Sequence, residues 1–237
     1  MPLIELCDYV LAPMGSGYGI QRFSFAISQG DVYAVEASHP DDATLFLRAL
    51  ATLVSPRKGI YRFDGKPKDV GNYRDLLDCK QRIGYIAPDA ALISNLTLRQ
   101  NLLLRRFYFE NTLNDQLDDT LQTLCRSFNI LDKLDKRPTG LNTMDVQAAI
   151  VIRELTKDPD VLLLIRPEDF IGHTYFDLLG RLFNDWIDKR LPMVLLSYDR
   201  RMIRRFANRK VTITNSVLTT ADIKRSTAYG QMNGAQE

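Results

Sequence analysis

Apolar and polar positions alternate through the first part of the chain, then give way to helical spacing. Residues 4–11 and 21–26 read as early strands of a small sheet, with Gly15, Gly17 and Gly19 marking the turn between them. Gly30-Asp31 is a tight turn before a short apolar strand at 31–35. Residues 42–53 have helical periodicity, with Leu45, Leu47, Leu50 and Leu53 available for a core. A strand at 59–63 closes on Asp64-Gly65, a hairpin signal. A short helix is expected at 73–79 and a strand at 83–86.

The middle of the chain is helical, at 97–109 and 117–128, and Asn142 or Thr143 caps a long helix ending at Leu155. The five apolar residues 161–165 have the character of a buried parallel strand. A helix at 176–189 turns Phe183 and Trp186 inward; a buried strand at 193–196, a helix at 200–207 and a strand at 211–214 follow. Strand–helix alternation on both sides of a helical insert predicts an α/β core with a helical subdomain. Residues 216–237 are polar, with a short docking helix expected around 220–225 and fraying beyond it.

The 237 residues, 45% hydrophobic, suffice for one sizeable core or two closely packed subdomains. A net charge of +2 offers no basic stripe, so no nucleic-acid partner is expected. Cys7, Cys79 and Cys125 have no metal-ligand spacing, and their odd number fits a reducing compartment. No basic segment followed by an apolar run opens the chain, so no signal peptide is expected. No apolar run approaches the roughly 20 residues of a membrane span. The chain is expected to be soluble and able to dock on a membrane-bound partner.

Chemistry concentrates after the strand at 31–35. Ala37-Ser38-His39-Pro40-Asp41-Asp42-Ala43-Thr44 stands where a strand–loop–helix nucleotide binder carries its glycines and lysine. Those glycines let consecutive N–H groups converge on phosphate, and the lysine adds positive charge. Further landmarks follow in order. They are Ile83-Gly84-Tyr85-Ile86 with Leu92 and residues 95–102, then Pro138, Leu141, Gln147, Arg153 and Leu155. Residues 159–167 and Ser197-Tyr198-Asp199 complete the series.

From Ile4 to Thr214 these landmarks resemble the nucleotide-binding (ATPase) subunit of ABC transporters. The resemblance implies an α/β, ABC-type nucleotide-binding domain: a RecA-like mixed sheet core, an N-terminal antiparallel β subdomain and a helical subdomain. It implies a single domain at 1–215, with the helical subdomain at about 90–156 and 216–237 as a polar, partner-docking tail.

The departures fall on the chemical positions. Ala37, Pro40 and Asp42 replace the three glycines of the phosphate loop, and Ala43 replaces the lysine. Pro40 removes a donor, while Asp41 and Asp42 suit a helix N-terminus but oppose a polyphosphate. The plain expectation for this segment is an Asp-capped helix. Thr44 keeps the hydroxyl that would touch Mg²⁺. Ile165 and Arg166 replace the metal-linked aspartate and the catalytic glutamate. Arg166 is expected either to pair with Asp41, Asp42, Glu168 or Asp169 or to point into solvent. Pro88 takes the place of the Q-loop glutamine beside Asp89, and Tyr198 that of the switch histidine. In the signature region, Asn142 keeps a small polar group, Met144 adds bulk and Asp145 adds negative charge. Gly172 replaces the aspartate after the Walker B strand, with His173 expected on a surface loop. Tyr9 and Tyr18 stand out of register with the family's adenine-stacking aromatic.

The expectation is a pseudo-ATPase with no catalytic residue, cofactor or metal of its own. The family resemblance implies an integral membrane permease whose coupling helix enters a groove approached by 89–95 and 102–109, including Phe107, Tyr108 and Phe109. It also implies a homodimer, or a heterodimer with another ABC ATPase-like subunit. The place would be the cytoplasmic side of the inner membrane, reached through the permease. Segment order is similar to bacterial import or lipid-transport subunits. The alternatives are a noncanonical nucleotide-binding ATPase reusing Thr44 and Asp89 around Mg²⁺, a soluble adaptor or sensor, and a static bridge in a complex that no longer pumps.

Overall fold

The computed structural model describes residues 1–109, 114–171 and 176–225. Alternation in β1 (Ile4–Leu11) buries Ile4 and Leu6, then Tyr9 and Leu11. The shift of one position falls at Asp8, whose φ of 51° makes a bulge that returns Tyr9 to the buried face. β2 (Ile20–Ile27) pairs antiparallel with β1. The apolar strand β3 (Val32–Ala37) leads directly into α1 (Pro40–Leu50). β4 (Lys58–Phe63) and β5 (Lys66–Lys68) join through Asp64-Gly65, both at positive φ, as the hairpin signal predicts.

α2 (Leu77–Arg82) starts later than the expected helix at 73–79, and β6 (Ile83–Ile86) follows it. α3 (Leu98–Phe109), α4 (Asp119–Ser127) and α5 (Thr143–Leu155) form the helical insert. β7 (Val161–Ile165) is buried throughout. α6 (Pro167–Ile171), α7 (Phe176–Asp188), β8 (Met193–Leu196), α8 (Arg200–Phe206), β9 (Arg209–Thr214) and β10 (Val217–Asp222) complete the described chain.

Two sheets result, in the orders β2-β1-β4-β5 and β10-β9-β3-β8-β7-β6. The first is antiparallel; the second is parallel except for the edge strand β10. One face of the central sheet (Tyr33, Val35, Leu163, Val194) packs with α1 and the antiparallel sheet. The other face (Val32, Ala34, Leu162, Leu164) packs with α3, α5, α7 and α8, so the helical insert shares the core of the sheet. This is the expected α/β architecture.

Two expectations need correction. Leu53 is 51% exposed, because α1 ends at Leu50 and Thr52 turns the chain at a φ of 58°. The helix expected at 220–225 is absent: Asn215 and Ser216 both take positive φ, the two-residue turn that right-twisted strands favour. Val217–Asp222 returns along β9 as β10, so the sheet runs past residue 215 into the segment expected to be a docking tail.

Candidate functional site

α1 begins where β3 ends, the arrangement in which a helix N-terminus meets a bound anion. Here the chain supplies the anions itself. Asp41 Oδ2 accepts the Ser16 N–H at 2.8 Å and the Ser16 hydroxyl at 2.9 Å. Asp42, only 3% exposed, accepts the Gly19 N–H at 2.9 Å. The two carboxylates hold the glycine loop between β1 and β2 against the start of the helix. The approach requires glycine: a Cβ on Gly15 would lie 2.5 Å from Asp41 Oδ2, and one on Gly17 2.5 Å from Asp42 Oδ1. The Ser16 N–H, then its hydroxyl, hold the Asp41 carboxyl below its ordinary pKa.

The cap of α1 corrects the expected Asp-capped helix. His39 is the N-cap, its Nδ1 accepting the Asp41 N–H at 3.3 Å, and this leaves the aspartates free to reach the loop. Pro40 takes the first helical position, where a missing N–H is tolerated. Ala37 and Thr44 are half-buried, and Ala43 is buried. Tyr18 is exposed and stands edge-on to His39, with ring centroids 5.7 Å apart. Tyr9 is buried edge-on against Phe23, and burial pushes its hydroxyl pKa up.

The opposite wall comes from the end of β7. Ile165 is buried, and Arg166 turns the chain at a φ of 48°. Of the carboxylates open to it, Arg166 takes Asp169, with Nε 2.8 Å from Oδ2. Glu168 faces the neighbouring turn instead: it accepts the Ser197 hydroxyl at 2.9 Å and the Tyr198 N–H at 2.7 Å. The Tyr198 side chain is 61% exposed, so it is no core tyrosine. Pro88 is exposed, and the Asp89 carboxylate pairs with Arg48 of α1. That pairing opposes the reuse of Asp89 around Mg²⁺. Among the described residues no group of three or more His, Cys, Asp or Glu is arranged to hold a metal.

The segment where the signature region is expected is likewise held by the chain's own groups. Asn142 caps α5 by accepting the Asp145 N–H at 2.8 Å, and buried Asp145 takes the Lys133 ammonium at 2.7 Å. Met144 is half-buried. Gly172 and His173 lie outside the described residues.

Sequence reasoning did not assign two organising residues. Glu168 entered it only as a partner for Arg166, yet it ties α6 to the turn at Ser197-Tyr198. Asn101, fully buried in α3, accepts the Ile93 N–H at 2.7 Å and donates to the carbonyls of Ile93 and Thr97. An asparagine flanked by Leu98, Leu102 and Leu103 on a helix was the available signal. It shapes the linker below exposed Ile93, while Tyr108 and Phe109 lie exposed at the far end of α3.

No family model matches the chain. It is 25% identical over 200 residues to the phosphonates import ATP-binding protein PhnC 2 of a Synechococcus species, covering 81% of this chain and 74% of that one. It is 23% identical over 218 residues to a probable anion import ATP-binding protein of Haloferax volcanii, covering 84% and 75%. A solved dimeric ATP-binding cassette in a post-hydrolysis state, bound to ADP and Pi, superposes with a TM-score of 0.77 at 15% identity, over 92% of this chain and 98% of that one. That likeness speaks for the fold.

Proposed function

We propose that the chain is a catalytically silent member of the ABC transporter ATP-binding subunits, the proteins it is similar to in sequence and in fold. It serves as a structural or regulatory subunit that docks a membrane permease and neither binds Mg-ATP tightly nor hydrolyses it. The observation that carries this proposal is the engagement of Asp41 and Asp42 with Ser16 and Gly19. Where phosphates need converging donors and a lysine, two carboxylates stand, and their N–H partners are already used. A polyphosphate would have to displace those bonds and meet negative charge in their place. Ile165 and Arg166 add support, since an aliphatic side chain holds no Mg²⁺ and a guanidinium is no base near neutral pH.

The permease-facing surface is the linker 89–95 with α3, where Ile93, Tyr108 and Phe109 are exposed. No helix among the described residues is long and apolar enough to cross a membrane. In this reading, attachment to the cytoplasmic membrane face runs through the permease. The partner across the signature face is a second copy or another ABC ATPase-like subunit.

The relatives are named as ATP-binding proteins, which favours a second reading: a nucleotide binder with a rebuilt site. Calorimetry with Mg-ATP on the purified chain decides between them. Absence of binding heat at millimolar nucleotide is expected, with no phosphate release above background. Saturable micromolar binding would overturn the silent reading in favour of the second. Isolation from its own membranes should bring down a permease; recovery without one would favour a soluble adaptor. The co-purifying complex would also identify whether the cargo is lipid or a small anion.

A further inference from the structure

At the other end of β3 from the loop before α1 lies a polar cavity of about 450 Å³. Its mouth is framed by Asp31, Arg190, Asn208, Arg209, Asp222 and Arg225, contributed by the turn before β3, the turn after α7, and the β9–β10 hairpin with the residues flanking it. β3 has six residues, so the two ends lie about 20 Å apart.

The charged groups divide into committed and uncommitted sets. Arg209 spans both acids, with Nε 3.3 Å from Asp31 and 3.4 Å from Asp222. Its Nη1 also donates to the Tyr33 hydroxyl at 3.0 Å. Asp31 further accepts the Ser28 N–H at 2.7 Å. The Asn208 amide is used on both sides, accepting the Val32 N–H and donating to the Gly30 carbonyl. Arg190 and Arg225 remain. The Arg190 side chain lies over Gly30, where a Cβ would meet its Nε at 3.3 Å, and it has no acidic partner among the described residues. The Arg225 Nε is buried and without a hydrogen-bond partner.

We propose that this cavity binds a phosphate group carried by a small polar molecule, gripped between the guanidiniums of Arg190 and Arg225. Paired guanidinium forks match phosphate oxygens in geometry and charge. Most sites for apolar-bodied ligands are lined mainly by hydrophobic side chains. This cavity is lined almost wholly by polar ones, so it suits a compact anion. Arg209 offsets one of the two carboxylate charges of Asp31 and Asp222, so with Arg190 and Arg225 the lining carries three cations against two anions. The site is independent of the silent-ATPase proposal and can fail or hold without it.

The test is the thermal stability of the full chain titrated with inorganic phosphate, against chloride at equal ionic strength. Wild type should show a saturable, phosphate-specific rise in Tm. Arg190→Gln or Arg225→Gln should each weaken the apparent affinity about tenfold, and the double variant should lose the response. Arg204→Gln, at an exposed position of α8 outside the cavity, should respond as wild type does. Tm and circular dichroism without phosphate confirm that each variant folds. Glucose 6-phosphate in one arm and phosphatidic-acid vesicles in another separate a soluble source of the phosphate from a lipid headgroup. An unsaturable response, or one retained in the double variant, would overturn the proposal and leave these arginines as solvated surface groups.

Discussion

Asp41 and Asp42 hold the loop between β1 and β2 against α1, and each makes a distinct prediction. Asp42→Ala leaves the Gly19 N–H without its acceptor in a buried place, so urea unfolding should register a loss of about 1–3 kcal/mol. Asp42→Asn keeps a carbonyl acceptor and should lose less; equal losses would mean that charge, not the acceptor, matters there. Asp41 is exposed enough that pH is the better probe. Its folded-state pKa is depressed by the Ser16 donors, so its contribution is present above the unfolded value and lost as pH falls through the folded one. The Ser16 amide resonance should therefore titrate with a midpoint below the ordinary aspartate value of about 3.9. Asp41→Asn should abolish that titration. Two adjacent carboxylates at the start of α1 were legible in the sequence. The destination of the carboxylates was not, because Ser16 and Asp41 stand 25 residues apart and meet only once β1, β2 and β3 are assembled. Arg166 was legible as a choice between four pairings and solvent, and the fold selects Asp169, three residues on in its own turn, while Glu168 is taken by Ser197 and Tyr198.

At the level of elements, local signals worked where the backbone alone sets the outcome. Asp64-Gly65 gave its hairpin, and Asn142 caps α5. Asn142→Ala should therefore lower stability by about 1 kcal/mol, seen as a lower urea midpoint with an unchanged slope. A neutral result would mean that Asp145, held by Lys133, keeps the first turn in place without the cap. Local signals failed where a partner strand decides. Thr219 and Thr220 lie in a polar stretch whose helical expectation ignored two facts. Both residues are β-branched, and β9 offers a free edge to pair with. Asn215 before Ser216 was the overlooked turn signal. The role of Glu168 was hidden for a similar reason, since its partners Ser197 and Tyr198 stand on the turn after β8, the strand beside β7.

For the whole molecule, the central sheet has two polar ends and one vulnerable edge. The C-terminal ends of β3 and β7 carry Asp41, Asp42 and Arg166, and the N-terminal ends of β3 and β9 carry the arginine cavity. β10 connects the edge to the second of these, because Asp222 and Arg225 reach the cavity only when Val217–Asp222 pairs along β9. Truncation separates the roles. A chain cut after Arg225 retains every described strand and should keep its Tm and its phosphate response. A chain cut after Asn215 leaves β9 as an unpaired edge, with its backbone donors and acceptors open to a second chain. It should melt lower, scatter light in a concentration-dependent way, and lose the phosphate response. If both truncations melt alike and stay monodisperse, β10 does not protect the sheet, and the domain boundary returns to residue 215. If the shorter chain is stable yet still responds to phosphate, the anion is held by Arg190 without the hairpin, and the two-arginine grip fails.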